Sequence, residues 1–169
     1  MVTLTLRPLT TVDWPLWRDL RLAALTDAPD AFKAGLTDWR HGGEARWRDR
    51  LRLPGAHRIA ALLDEDPVGL VGGLPGSPDG VRELRSLWVA PRARGRGVAD
   101  RLIEEVERWA LATGGTTLRL AVLPGNAAAL ALYRRHGFAP LTEPGEPAEP
   151  AELLAGGVTR ELLLAKPLR

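Results

Sequence analysis

The chain has 169 residues, 45% apolar and 26% charged, a balance that suits one globular domain over residues 1–169 and excludes a disordered chain. The net charge of +2 and pI near 9.6 come from 23 basic residues, of which only Lys33 and Lys166 are lysines, spread among 21 acids without a basic stripe, so nucleic-acid binding is not expected. Cysteine is absent and His41, His57 and His136 lack ligand spacing, which leaves no basis for disulfides, thiolate chemistry or a metal site.

No apolar run reaches the roughly 18 residues of a membrane span, and MVTLTLRPLT lacks the basic start and apolar core of a signal peptide; no membrane association and a cytoplasmic location are expected. The bias toward Ala, Arg, Gly, Leu and Pro reads as a GC-rich, bacterial-like genome.

Alternation over Val2–Leu6 predicts a short strand, and Thr10-x-x-Asp13 a capped helix through about Leu25 with Trp17, Leu20 and Ala24 as its buried stripe. The breaker segment 26–35 separates it from a second helix over about 36–51. Residues 58–63 and 67–73 predict a hairpin joined by Asp64-Glu65-Asp66. A third strand follows over 81–90, where imperfect alternation points to a bulge. A helix over about 98–113 carries Val98, Leu102, Val106, Trp109 and Ala110 on one face, and Gly114-Gly115 ends it. A strand at 116–123, a helix from Asn126 to about Arg135 closed by Gly137, a strand near 138–141 and a last strand at about 158–164 complete the chain. This order implies an α/β sheet of mixed direction.

The chemistry concentrates where the third strand meets RGRGVA, residues 94–99. A strand entering a glycine turn and then a helix leaves backbone N–H groups at a helix N-terminus, where the partial positive charge favours an anion such as phosphate. Glycine lets the backbone approach that anion closely. The P-loop pattern fails because no lysine follows, and the dinucleotide pattern fails because Asp100 stands where a third glycine is needed. Alone, RGRG also reads as a solvated basic turn.

Two stretches together narrow this choice. Arg94-x-x-Gly97-x-Ala99 after LWVAP, and PGNAAALALYRRHGF at 124–138, resemble in order and spacing the two signatures of the GNAT superfamily of acetyl-coenzyme A-dependent N-acetyltransferases. Arginine at 94 and alanine at 99 stand where glutamine and glycine are frequent. The resemblance implies a single domain whose mixed, mostly antiparallel sheet of about six to seven strands has a splayed central parallel pair and about four flanking helices. It implies acetyl-coenzyme A as cosubstrate, no metal, and an amine acceptor, with room for a homodimer.

Residue by residue, the resemblance implies that the N–H groups of Arg94, Gly95, Arg96, Gly97, Val98 and Ala99 hold the coenzyme A diphosphate, with the Arg94 and Arg96 side chains in support. Main chain of Leu87, Trp88 and Val89 would pair with the pantetheine arm. Asn126 would cap its helix and touch the pantetheine, the cap alone being the simpler reading. Tyr133, the sole tyrosine, matches the general acid that protonates the departing thiolate, with a packing role as its alternative. Glu83, eleven residues before Arg94, matches the glutamate that drains the amine's proton in some members, with a salt-bridged strand residue as its alternative. The Val89 N–H is the simplest partner for the carbonyl oxygen.

The acceptor groove is expected between residues 26–43 and the loop 142–157, whose Glu143, Glu146, Glu149 and Glu152 would either attract a cationic amine or form a plain soluble linker. A coenzyme-sensing module without catalysis is the rival reading from another class.

Overall fold

The computed structural model describes residues 2–27, 43–123, 125–141, 153–154, 157–158 and 162–168. The acidic loop glutamates, residues 28–42 of the expected groove and the start of the second expected helix lie outside these residues.

Strand β1 (Leu4–Pro8) is followed by a 3-10 turn (Thr11–Asp13), in which the Thr10 N–H donates to Asp13 Oδ2 at 2.9 Å, and then by α1 (Trp14–Asp27). The expected stripe Trp17, Leu20 and Ala24 is buried. Helix α2 (Gly43–Leu51) packs on α1, with Trp47 edge-on to Trp17 at 5.2 Å between ring centroids. Strands β2 (His57–Leu63) and β3 (Asp66–Pro75) form the predicted hairpin. Its tip is the pair Asp64 and Glu65, at φ +47° and +71°, the left-handed pair that matches strand twist in a two-residue hairpin.

Strand β4 (Val81–Val89) pairs antiparallel with β3, and α3 (Val98–Ala112) crosses back to β5 (Thr117–Val122), parallel to β4. Val98, Leu102, Ile103, Val106 and Ala110 are buried along α3 while Trp109 is half-buried. Val98, Leu102, Ile103 and Val106 each contribute about 2 kcal/mol relative to exposure, and Ala110 less. The helix closes as its composition predicts: the Gly114 N–H donates to Leu111 O at 3.2 Å and the Gly115 N–H to Ala110 O at 2.7 Å.

Helix α4 (Ala127–Arg135), β6 (Ala139–Pro140), the short pair β7 (Leu153–Leu154) and β8 (Gly157–Val158), and β9 (Leu162–Pro167) follow. Among the described residues the main sheet has seven strands in the order β1-β2-β3-β4-β5-β9-β6, mostly antiparallel with β4 and β5 as the parallel pair, as expected. The last strand ends at Pro167, three residues past the end its sequence pattern suggests. Its bounds are set by pairing with β5 from Thr117↔Pro167 to Val122↔Leu162, a partner that local alternation does not reveal.

The helices cover both faces. A Cβ on Gly73 would lie 2.6 Å from the Trp109 ring of α3, whereas one on its neighbour Gly72 would lie 3.1 Å from Arg58 Nη1, and the Arg58 guanidinium sits over Trp17 of α1. Adjacent strand residues point to opposite faces, so α3 and α1 flank the sheet from opposite sides. No helix among the described residues is long and apolar enough to cross a membrane.

Candidate active site

The predicted bulge is present and sets the site. Between the β3–β4 pairs Leu70↔Trp88 and Gly72↔Arg85, β4 carries one extra residue, and Ser86 takes φ +60°. An isolated left-handed serine is costly, and Arg21 of α1 steadies this one by donating from Nη1 to Ser86 Oγ at 3.2 Å. Burial, with the Arg50 charge beside it, pushes the Arg21 guanidinium down to about 10, so it stays charged at neutral pH.

Past the bulge, β4 leaves β5. The two strands pair only at Val81↔Thr117, Arg82↔Leu118 and Glu83↔Arg119, although β4 continues to Val89 and β5 to Val122. Main chain at Leu87, Trp88 and Val89 therefore has β3 on one side and a parted edge on the other, which suits an extended ligand that adds itself as a strand.

This wedge leads into the glycine turn. Gly95 and Gly97 adopt φ +78° and +80°, and a Cβ on either would meet nothing within 4 Å, so the turn borders open space. Gly97 is the N-cap of α3 and brings no side chain to satisfy the first-turn N–H groups of Val98 and Ala99. Alternating left-handed residues just before a helix N-terminus make a concave nest of N–H groups suited to a phosphate. The parted edge and the nest together fit a long donor with a diphosphate at one end.

Arg94 holds an unexpected place. Its Nε donates to Val89 O at 3.0 Å and its Nη2 to Asp27 Oδ2 at 2.6 Å, so the guanidinium is spent on the end of β4 and the end of α1. Asp27 also accepts from the Trp88 indole Nε1 at 2.9 Å. Among the arginine side chains expected at the diphosphate, Arg96 has no described ion pair.

Glu83 stands at the last paired register before the strands part. Arg85 Nη2 lies 2.7 Å from Oε2 and Arg119 Nη2 3.7 Å from Oε1, one guanidinium to each oxygen. The ion-paired alternative weighed for this residue is thus present; with a quarter of the side chain exposed, water reaches it as well.

Tyr133 lies on α4, only 7% exposed and edge-on to Phe138 at 5.8 Å between centroids. Burial pushes its hydroxyl up to about 12, so it is a protonated donor throughout the neutral range. Asn126 caps α4, accepting from the Ala129 N–H at 3.2 Å.

The helix bearing Tyr133 is tied to the nest. Asp100, in the first turn of α3, accepts from Arg135 Nη2 at 2.7 Å and His136 Nε2 at 2.6 Å at the far end of α4. Arg135 first and His136 next hold the Asp100 carboxyl below its usual range. Those donors also offset a negative charge that would otherwise oppose an incoming diphosphate. Sequence reasoning gave Asp27 only as part of the acceptor segment 26–43 and assigned Asp100 no part in the site. Their partners lie 35 to 67 positions away, beyond any local pattern.

With this geometry in place, comparison with known proteins is specific. The acetyltransferase (GNAT) family matches residues 15–138, and the chain belongs to that family. Bovine (Bos taurus) thialysine N-epsilon-acetyltransferase is 42% identical over 60 residues, covering 36% of this chain and 35% of its own. The matched segments span only about a third of the length of such curated relatives. A GNAT-family acetyltransferase from Streptococcus pneumoniae has the same fold at TM-score 0.78 and 21% identity, covering 99% of this chain and 100% of its own. So does the PaiA N-acetyltransferase of Thermoplasma acidophilum, solved in complex with coenzyme A, at TM-score 0.72 and 16% identity over 98% and 99%.

Proposed function

We propose that the protein, as one domain over residues 1–169, is an N-acetyltransferase that moves the acetyl group of acetyl-coenzyme A to a primary amine by direct attack. The observation that carries this reading is the wedge between β4 and β5, which opens after three paired registers and runs into a nest bearing two left-handed glycines. Family membership and the coenzyme A complex of a protein with the same fold support the donor. The name of the bovine relative, which specifies the ε-nitrogen of thialysine, supports an amine acceptor.

In this reading the diphosphate rests on the N–H groups of residues 94–99 and the pantetheine arm runs along Leu87, Trp88 and Val89, with Asn126 at its side. The amine lone pair attacks the acetyl carbonyl, whose oxygen gathers charge toward the Val89 N–H. The C–S bond breaks as the C–N bond completes, Tyr133 gives its proton to the sulfur, and the second proton shed by the acylated nitrogen returns to the tyrosinate. An apolar slot raises the proton affinity of the thiolate as it raises that of the phenol, which keeps this transfer within reach. Glu83, directly or through water, receives the proton of an alkyl ammonium whose reference pKa is about 10.4.

Thiol release from acetyl-coenzyme A across a panel of primary amines tests the activity. Release on no amine, with coenzyme A still bound, overturns transfer in favour of a sensing module. Among accepted amines, Glu83→Gln is expected to lower kcat/KM about a hundredfold near neutral pH, with the deficit narrowing as alkaline pH deprotonates the amine itself. A deficit that stays constant with pH assigns Glu83 to the ion-paired structural role.

A further inference from the structure

We propose that Asp27 is a positioning residue for acetyl transfer, its carboxylate holding Trp88 and Arg94 so that residues 87–89 keep one geometry against the acceptor side; this rests on the transfer reading above. Local chemistry argues against an aspartate at this place. It ends α1, where the carbonyl ends of the helix make a negative charge unfavourable. Tertiary partners reverse that preference. The Trp88 indole N–H is a buried donor that needs an acceptor, and Asp27 Oδ2 supplies it at 2.9 Å. The same oxygen takes Arg94 Nη2 at 2.6 Å. The indole first, and Arg94 with it, hold this carboxyl below the usual range.

What these contacts hold in place is the reason to assign them a role in the reaction. Arg94 Nε reaches back to Val89 O at 3.0 Å, while the N–H at the other end of that peptide, on Ala90, donates to Val68 O at 2.7 Å. The peptide after Val89 is therefore fixed at both ends, and with it the approach of the residue whose own N–H meets the carbonyl oxygen in the proposed reaction. Asp27 also lies within segment 26–43, which the family resemblance places beside the acceptor. One carboxylate thus joins the acceptor-side helix, the reacting edge of β4 and the first residue of the phosphate turn.

Asp27→Asn removes the charge and keeps the shape. It is expected to lower kcat at saturating substrates about tenfold, while calorimetric affinity for coenzyme A stays within about threefold of native, since misplaced reacting groups slow chemistry more than they weaken binding. Combined with Arg94→Gln, the loss in kcat is expected to be no larger than that of the worse single variant, because both remove one contact. Native kcat in a folded Asp27→Asn protein with only a lower melting temperature overturns the proposal, as do losses that multiply in the double variant. Arg94→Gln breaks the contact from its other side and carries the same test where Asp27→Asn fails to fold: reduced kcat supports the proposal and native kcat overturns it. Thiol release by the native protein on no amine overturns the transfer reading and this inference together, whereas native release matched by Asp27→Asn overturns the inference alone.

Discussion

Tyr133→Phe is expected to lower kcat by about a hundred- to thousandfold while leaving calorimetric affinity for coenzyme A close to native. The substitution removes one oxygen from a buried ring and keeps the packing against Phe138, so a large loss of rate in a folded protein has to come from the hydroxyl. A residue that only packs would give the opposite pattern, with kcat retained. Because Tyr133 is the only tyrosine, its titration can be followed directly by tyrosinate absorbance. The midpoint is expected near 12 in the native protein and near its ordinary value of 10 after unfolding. The native state keeps the proton longer than the unfolded chain does. This group's contribution to stability is therefore complete below about pH 10, and it is lost as pH rises from there through about 12. Tyr133→Phe removes that component from the alkaline unfolding profile, and a native-protein midpoint at 10 would show the hydroxyl to be solvated.

Gly97→Ala is expected to weaken coenzyme A binding by about ten- to hundredfold, the scale of one or two lost hydrogen bonds to a charged group. Its cost to stability is smaller, about 1–2 kcal/mol, from placing a side chain at φ +80°. The two effects have different origins. In the free protein the added Cβ meets nothing within 4 Å, so there is no clash, only backbone strain. In the proposed complex that same open space is where the diphosphate approaches the N–H groups. Calorimetric titration beside denaturant unfolding separates the two, and native affinity in the variant would remove the nest from the donor site.

Much of the fold was legible in the sequence because it is written in short-range terms. The Trp17, Leu20 and Ala24 stripe, the glycine close of α3 and the Asn126 cap each depend on residues within a turn or two, and each stands where the pattern put it. The bulge was legible for the same reason, as a break in the alternation of β4. The register of β9 was not, because its bounds come from β5, some 45 residues away. At the site, the glycines and Tyr133 could be singled out from two signatures, but the destination of the Arg94 guanidinium could not. Arginine beside two glycines reads as a phosphate contact; only the fold brings Asp27 within 2.6 Å and turns that side chain into a strut.

The amino-acid sequence by itself determined where most of the helices and strands fall, which turn has the glycines to expose its N–H groups, and which side chains carry titratable groups beside it. Such properties follow from backbone propensity, side-chain period and the identity of titratable groups. The tertiary structure alone decided how far β4 and β5 pair before they part, that burial keeps Tyr133 protonated, and that Asp27 and Asp100 fasten the helices to the glycine turn. These depend on contacts between residues remote in the chain, whose distances and desolvation exist only once the core has closed.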